Sequence, residues 1–212
     1  MPPAHQRLGV YGGTFDPIHN GHLHVAGEAL RELALDRLLL VPNGRPAHRF
    51  GACLAAPKHR LAMARLAAEP FEAMEVSDTE IRRQGISYTA DTLQGLAEQR
   101  PGCLLFLITG VDAVAELPTW HDPERVLALS SVVAAARPGF TREWLAQRLP
   151  DGWLERILLL ETTHSDLSAT EVRGRIAAGE SADGLAPAAV LRYIRTHGLY
   201  RGEEAGDPPS NY

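Results

Sequence analysis

The segment Gly12-Gly13-Thr14-Phe15-Asp16-Pro17-Ile18-His19-Asn20-Gly21-His22 sets two imidazoles three residues apart behind a glycine pair. The apolar run Leu8 to Tyr11 precedes it at strand length, and a helical period follows it. Strand, glycine turn and helix is the layout of a phosphate site. Glycines allow a sharp turn and close backbone approach, and a helix start offers N–H groups and a positive dipole end. The chain contains no Gly-Lys pair and no Gly-x-Gly-x-x-Gly, so His19 and His22 stand where a phosphate loop has its lysine. Imidazole N–H groups can donate to phosphate oxygens, and an anion favours their protonated form. A helix dipole at this position holds His22 neutral in the empty site. The competing reading is a metal site completed by His24, which lacks a local carboxylate or cysteine. Asp16 reads as a turn-stabilising residue rather than a base.

A second cluster lies at Ser168-Ala169-Thr170-Glu171, with Arg173 one turn on. Ser168 as N-cap and Glu171 three residues later form a capping box. The helix start near Thr170 still offers N–H groups, and the planar guanidinium fork of Arg173 suits phosphate oxygens. The plainer reading makes Arg173 a solvated surface charge.

The elements that must position these residues alternate. Leu8 to Tyr11, Leu38 to Val41, Cys103 to Ile108, Val132 to Ala136 and Ile157 to Leu160 read as buried strands. Helical periods fill His22 to Leu35, the stretch after Pro57, a segment from Thr89, and a last helix with Pro187 in its first turn, ending at Gly198. The pattern predicts an α/β, Rossmann-like doubly wound parallel sheet with flanking helices, which binds ligands at the carboxyl ends of its strands. The length of 212 residues fits one domain over 1–200, with 201–212 as a flexible tail. A net charge of −5 gives no basic field for nucleic acid or an anionic membrane. No apolar leader run or membrane-length stretch occurs, so a cytoplasmic location is expected. Cys53 and Cys103, outside any Cys-x-x-Cys, read as buried thiols. The oligomeric state is open.

Gly12 to His22 resembles the signature of the His-x-Gly-His nucleotidyltransferase superfamily. From Leu8 to Arg201 the chain resembles the bacterial nicotinate-nucleotide adenylyltransferases, with further matching segments in the family's order. These are Glu80-x-x-Arg83-x-Gly85-x-Ser87-Tyr88-Thr89, Gly110-Val111-Asp112, Pro118-Thr119-Trp120, Arg137-Pro138-Gly139 and Leu167-Ser168-Ala169-Thr170-x-x-Arg173. The resemblance implies transfer of AMP from ATP to nicotinate mononucleotide in NAD biosynthesis, with Mg²⁺ carried in on ATP. It implies catalytic roles for His19, His22 and Arg173. ATP contacts fall to Gly12, Gly13, Thr14, Phe15, Gly110, Asp112, Ser168 and Thr170.

On the mononucleotide side it implies His48, Arg49, Thr89, Trp120, His121 and Arg137. There Trp120, by itself more often a packing residue, stacks on the pyridine ring, and backbone N–H groups near Thr89 and His121 meet the nicotinate carboxylate. Asp112, by itself an N-cap candidate, binds a ribose hydroxyl. Two departures stand out: Pro46-Ala47-His48-Arg49 where the family has a second proline, and Ala169 in place of a serine. A phosphopantetheine adenylyltransferase, a cytidylyltransferase and a non-catalytic nucleotide sensor remain as alternatives.

Overall fold

A computed structural model describes residues 6–45, 55–83, 85–136, 139–162 and 167–201. Its strands are β1 (Arg7–Gly13), β2 (Arg37–Pro42), β3 (Met74–Val76), β4 (Leu104–Gly110), β5 (Ser131–Ala136) and β6 (Ile157–Glu161). They form one sheet in the order β3-β2-β1-β4-β5-β6, every neighbouring pair parallel. Apolar residues on both faces require cover on both. Tyr11, Leu38, Leu40, Ile108 and Val133 point into one core cluster, and Val10, Leu39, Val41, Leu107 and Val132 into the other. The two-residue alternation of a strand divides them so.

Helices α1 (Asn20–Glu32), α2 (Pro57–Ala68), α8 (Ala169–Ala177) and α9 (Ala188–Thr196) cover the first face. Helices α4 (Thr89–Gln99), α5 (Val111–Ala115), α6 (Pro123–Leu129) and α7 (Arg142–Ala146) cover the second, and the short α3 (Thr79–Arg82) follows β3. Truncating a fully buried leucine such as Leu38 to alanine costs about 2–5 kcal/mol.

The strand order reverses between β1 and β4, and a crevice opens there because the crossovers leave on opposite faces. Both flanking strands end in glycine, β1 at Gly12-Gly13 and β4 at Gly110. Here the structure corrects the sequence reading. Gly12 and Gly13 pair in register with Val41 and Pro42 as strand residues, and neither has positive φ. The left-handed residue of the turn is Phe15, at φ 49°. Helix α1 starts at Asn20 rather than His22 and ends at Glu32, with Ala34 left-handed at φ 44° just beyond. Strand β4 starts one residue after Cys103, and Pro187 is the N-cap of α9 rather than part of its first turn. Cys103 is half-buried rather than buried, its thiol donating to the Gln6 carbonyl at 3.2 Å. Cys53 and residues 202–212 lie outside the described residues.

Candidate active site

Two cavities meet at the crevice. The first, about 490 Å³, is lined by Thr14, Phe15, His19, His22, Gly110, Asp112, Ser168, Thr170 and Arg173. The second, about 300 Å³, is lined by Gly12, Gly13, Thr14, Thr89, Trp120 and His121. Thr14 belongs to both. The residues expected on ATP and on the mononucleotide thus separate onto two adjoining walls, with Gly12 and Gly13 on the second. His48, Arg49 and Arg137 lie outside the described residues.

His19 is the N-cap of α1, and its backbone N–H donates to Nδ1 of His22 at 3.2 Å. That bond fixes the tautomer: with Nδ1 accepting, a neutral His22 carries its proton on Nε2. The rings lie 3.7 Å apart between centroids. Burial pulls His19 down to about 4, and burial followed by repulsion from His19 holds His22 well below the usual histidine range. Both are therefore neutral at pH 7. Desolvation is the leading cause, where the sequence pointed to the helix dipole.

The Phe15 ring, almost fully buried, meets Tyr11 and His22 edge-on at 5.6 and 5.1 Å. A Cβ on Gly13 would come within 2.9 Å of that ring, whereas among the described residues nothing lies within 4 Å of one on Gly12 or Gly110. Gly13 is required by packing, and Gly12 and Gly110 leave open floor.

Asp16 stabilises its turn. Its carboxylate accepts from the Ala55 N–H at 3.2 Å and the Tyr200 hydroxyl at 2.5 Å, and its carbonyl accepts from Arg173 at 2.7 Å. The other fork nitrogen of Arg173 reaches the Thr170 hydroxyl at 3.1 Å. Arg173 is thereby held over the cavity rather than loose in solvent. Ser168 caps α8 by accepting from the Glu171 N–H at 3.1 Å. Asp112 does not cap α5; Gly110 occupies that position. His24 is turned toward Glu28, 3.4 Å away. Among the described residues no group of three His, Cys, Asp or Glu could hold a metal ion.

In the second cavity α4 starts at Thr89, which lines the space, and the first N–H groups of a helix have no partner within it. His121 lies against Tyr88 with ring centroids 4.2 Å apart, and half-buried Trp120 packs on the core while lining the cavity. Glu80 lines the same space and accepts from the Thr92 hydroxyl at 2.7 Å. Burial pushes its carboxyl above the usual range, against hydrogen bonds from Thr92 and Ser87 and the charge of Arg83.

A family model described as cytidylyltransferase-like matches residues 10–175. A Roseiflexus sp. (strain RS-1) protein named "Probable nicotinate-nucleotide adenylyltransferase" is 45% identical, over 92% of this chain and 98% of its own. A protein of the same name from Desulfitobacterium hafniense (strain Y51) is 40% identical, over 94% and 97%. The chain belongs to the nicotinate-nucleotide adenylyltransferase family. Among solved structures, the Plasmodium falciparum nicotinic acid mononucleotide adenylyltransferase complexed with NaAD superposes with a TM-score of 0.74. At 17% identity, over 92% of this chain and 98% of that one, the likeness concerns the fold: a Rossmann-like parallel α/β sheet.

Within this family frame the sequence reading missed two residues that shape the site. Arg60 of α2 is 1% exposed and bonds to Thr14, Asn43, Gly44 and Ala55. Tyr200, left-handed at φ 61°, reaches back 184 residues to Asp16. Neither carries a local signal, since an arginine in a helical stretch reads as solvated and a tyrosine beyond the last helix as surface.

Proposed function

We propose that this adenylyltransferase moves AMP from ATP to the phosphate of nicotinate mononucleotide, giving nicotinate adenine dinucleotide and pyrophosphate, and does so in the cytoplasm. One observation carries the reading. Paired imidazoles at the start of α1 face Arg173 and the start of α8 across one cavity, which adjoins at Thr14 a second cavity with an aromatic wall. No described helix is long and apolar enough to cross a membrane.

The nucleophile needs no base. A phosphate monoester has its second pKa near 6 and is mostly dianionic at pH 7, so it has only to be brought in line with the α-phosphorus. The obstacle is the approach of one anion to another while charge builds on the leaving pyrophosphate. His19 and His22 donate to the α- and β-phosphate oxygens. Arg173, with Ser168, Thr170 and the N–H groups of α8, takes the β- and γ-phosphates. Phe15 orders the turn under His22, and Gly110 and Asp112 border the ribose. Arg49, His48 and Arg137 supply further contacts to substrate or triphosphate.

The cavity offers neutral imidazoles and an Asp16 already committed to Ala55 and Tyr200. That donor set suits Mg²⁺ that arrives on the ATP phosphates, where it supplies charge neutralisation. The pyridine ring stacks on Trp120. Backbone N–H groups around Thr89 and His121 are donors only, so they donate to a carboxylate and meet an amide NH₂ with a clash.

The test is a coupled assay offering ATP with nicotinate mononucleotide, nicotinamide mononucleotide or phosphopantetheine. The nicotinate form is expected to lead nicotinamide by at least about ten-fold in kcat/KM. Trp120→Ala should weaken both mononucleotides. Equal efficiency for the two refutes the pocket assignment, and no pyrophosphate from any acceptor refutes adenylyl transfer in favour of a nucleotide sensor.

A further inference from the structure

Arg60 is a buried cation whose neighbours on α2, Met63, Ala64 and Ala67, all sink into an apolar cluster. Its Nη1 donates to the Thr14 carbonyl at 2.7 Å and the Asn43 amide oxygen at 3.0 Å. Its Nη2 donates to the Gly44 carbonyl at 3.1 Å and its Nε to the Ala55 carbonyl at 3.3 Å. We infer that Arg60 is a positioning residue for adenylyl transfer: its guanidinium ties the Thr14 turn to the Asn43-Gly44 turn and so fixes the two half-sites relative to each other. The inference rests on the function proposed above and deepens it.

The geometry favours this over a role in packing alone. Burying a guanidinium among neutral oxygens is costly, and a methionine or leucine would serve the core of α2 better. An apolar side chain cannot bridge three separate chain segments, whereas a planar fork can. The segments it bridges are the ones that matter. Thr14 lines both cavities, and the Asn43 amide also points at the Thr14 hydroxyl, 3.4 Å away. From Gly44 the linkage continues: its N–H donates to the Ser87 hydroxyl at 3.3 Å, and the Ser87 N–H donates to the Arg45 carbonyl at 2.9 Å.

Gly44 also approaches the Glu80 carbonyl so closely that a Cβ there would lie 2.3 Å from it. Ser87 leads directly into Tyr88 and the first turn of α4, the wall assigned to the pyridine ring. A continuous path of bonds therefore runs from the phosphate turn through Arg60 to the mononucleotide wall. Both Gly44 and Ala55 are held by the same side chain.

Each half-site has its own framework of strand and helix, so loss of the clamp should disturb their alignment more than either binding event. For Arg60→Lys, folded by circular dichroism and thermal melting, kcat should fall at least about ten-fold while the KM for ATP and for nicotinate mononucleotide each move less. For Arg60→Ala, added ethylguanidinium should restore part of kcat, and ethylammonium of equal charge should not. Wild-type kcat in Arg60→Lys overturns the inference. So does equal rescue by both cations, which would make charge rather than the fork the agent. A lysine variant that fails to fold assigns Arg60 to stability and also overturns it. The parent enzyme run alongside separates the two claims: dinucleotide formation by the parent with unaffected Arg60 variants sinks only this inference, and none by the parent sinks the proposed function itself.

Discussion

Acidification should destabilise this protein through His19 in a way that can be isolated. An imidazole in the unfolded chain titrates near 6.5, and burial brings His19 in the fold to about 4. The folded value is the depressed one. Between those two values the unfolded chain holds a proton that the native state does not, so stability falls as pH drops from about 6.5 and this component levels off near 4. A gap of about 2.5 pH units at about 1.36 kcal/mol each amounts to about 3 kcal/mol. His19 is 5% exposed, so solvent screening takes little of this away. His22 adds in the same direction, through burial and then the neighbouring imidazole.

His19→Asn keeps a polar group at the N-cap and removes the titration. Urea unfolding of both proteins at pH 7.0 and 4.5 should show the parent losing about 2 kcal/mol more than the variant over that interval. Parallel losses in the two would mean that His19 is not held neutral, and its proposed role as an uncharged N–H donor would fail with that result.

Two further outcomes follow from the proposed phosphate contacts. His22→Ala should stay folded and lose at least about one hundred-fold in turnover, about 2.7 kcal/mol of transition-state stabilisation, measured by pyrophosphate release. Arg173→Lys should remain impaired despite its retained charge, because an ammonium cannot make the two parallel bonds of the fork; wild-type kinetics would reduce Arg173 to a diffuse charge.

Chemistry that is local in the chain was legible, and chemistry made by long-range contacts was not. His19 and His22 sit three apart, and so do Ser168 and Glu171; one helical turn brings each pair together wherever the helix lies. The strand runs were legible because parallel strands covered on both faces are apolar throughout. Strand β3 escaped because three residues carry no measurable alternation. The glycine pair was read as a turn and is the end of a strand: in sequence, a strand that ends in glycines looks the same as a loop that begins with them. Arg60 and the bond from Tyr200 to Asp16 depend on packing of α2 and of the chain after α9 against the turn behind β1, which no spacing encodes.

On the proposed function, binding an anion in the cavity between α1 and α8 would need exchange of partners rather than construction of a site. Arg173 already spends its fork on the Asp16 carbonyl and the Thr170 hydroxyl, both neutral acceptors. A phosphate oxygen carries charge and makes the stronger bond, so it can displace either one while the guanidinium stays near its observed position. Asp16 in turn is fixed by Ala55 and Tyr200. His22 is fixed by the His19 N–H, with its remaining proton on Nε2. On the proposed function, donors already fixed in the fold would lose little freedom on binding a triphosphate and need little reorganisation as charge moved onto pyrophosphate, which is the condition under which fixed dipoles lower a barrier. Because neutral imidazoles avoid the cost of two buried like charges 3.7 Å apart between ring centroids, the fold can keep the two rings together, and on the proposed function any charge they take up would come with the triphosphate.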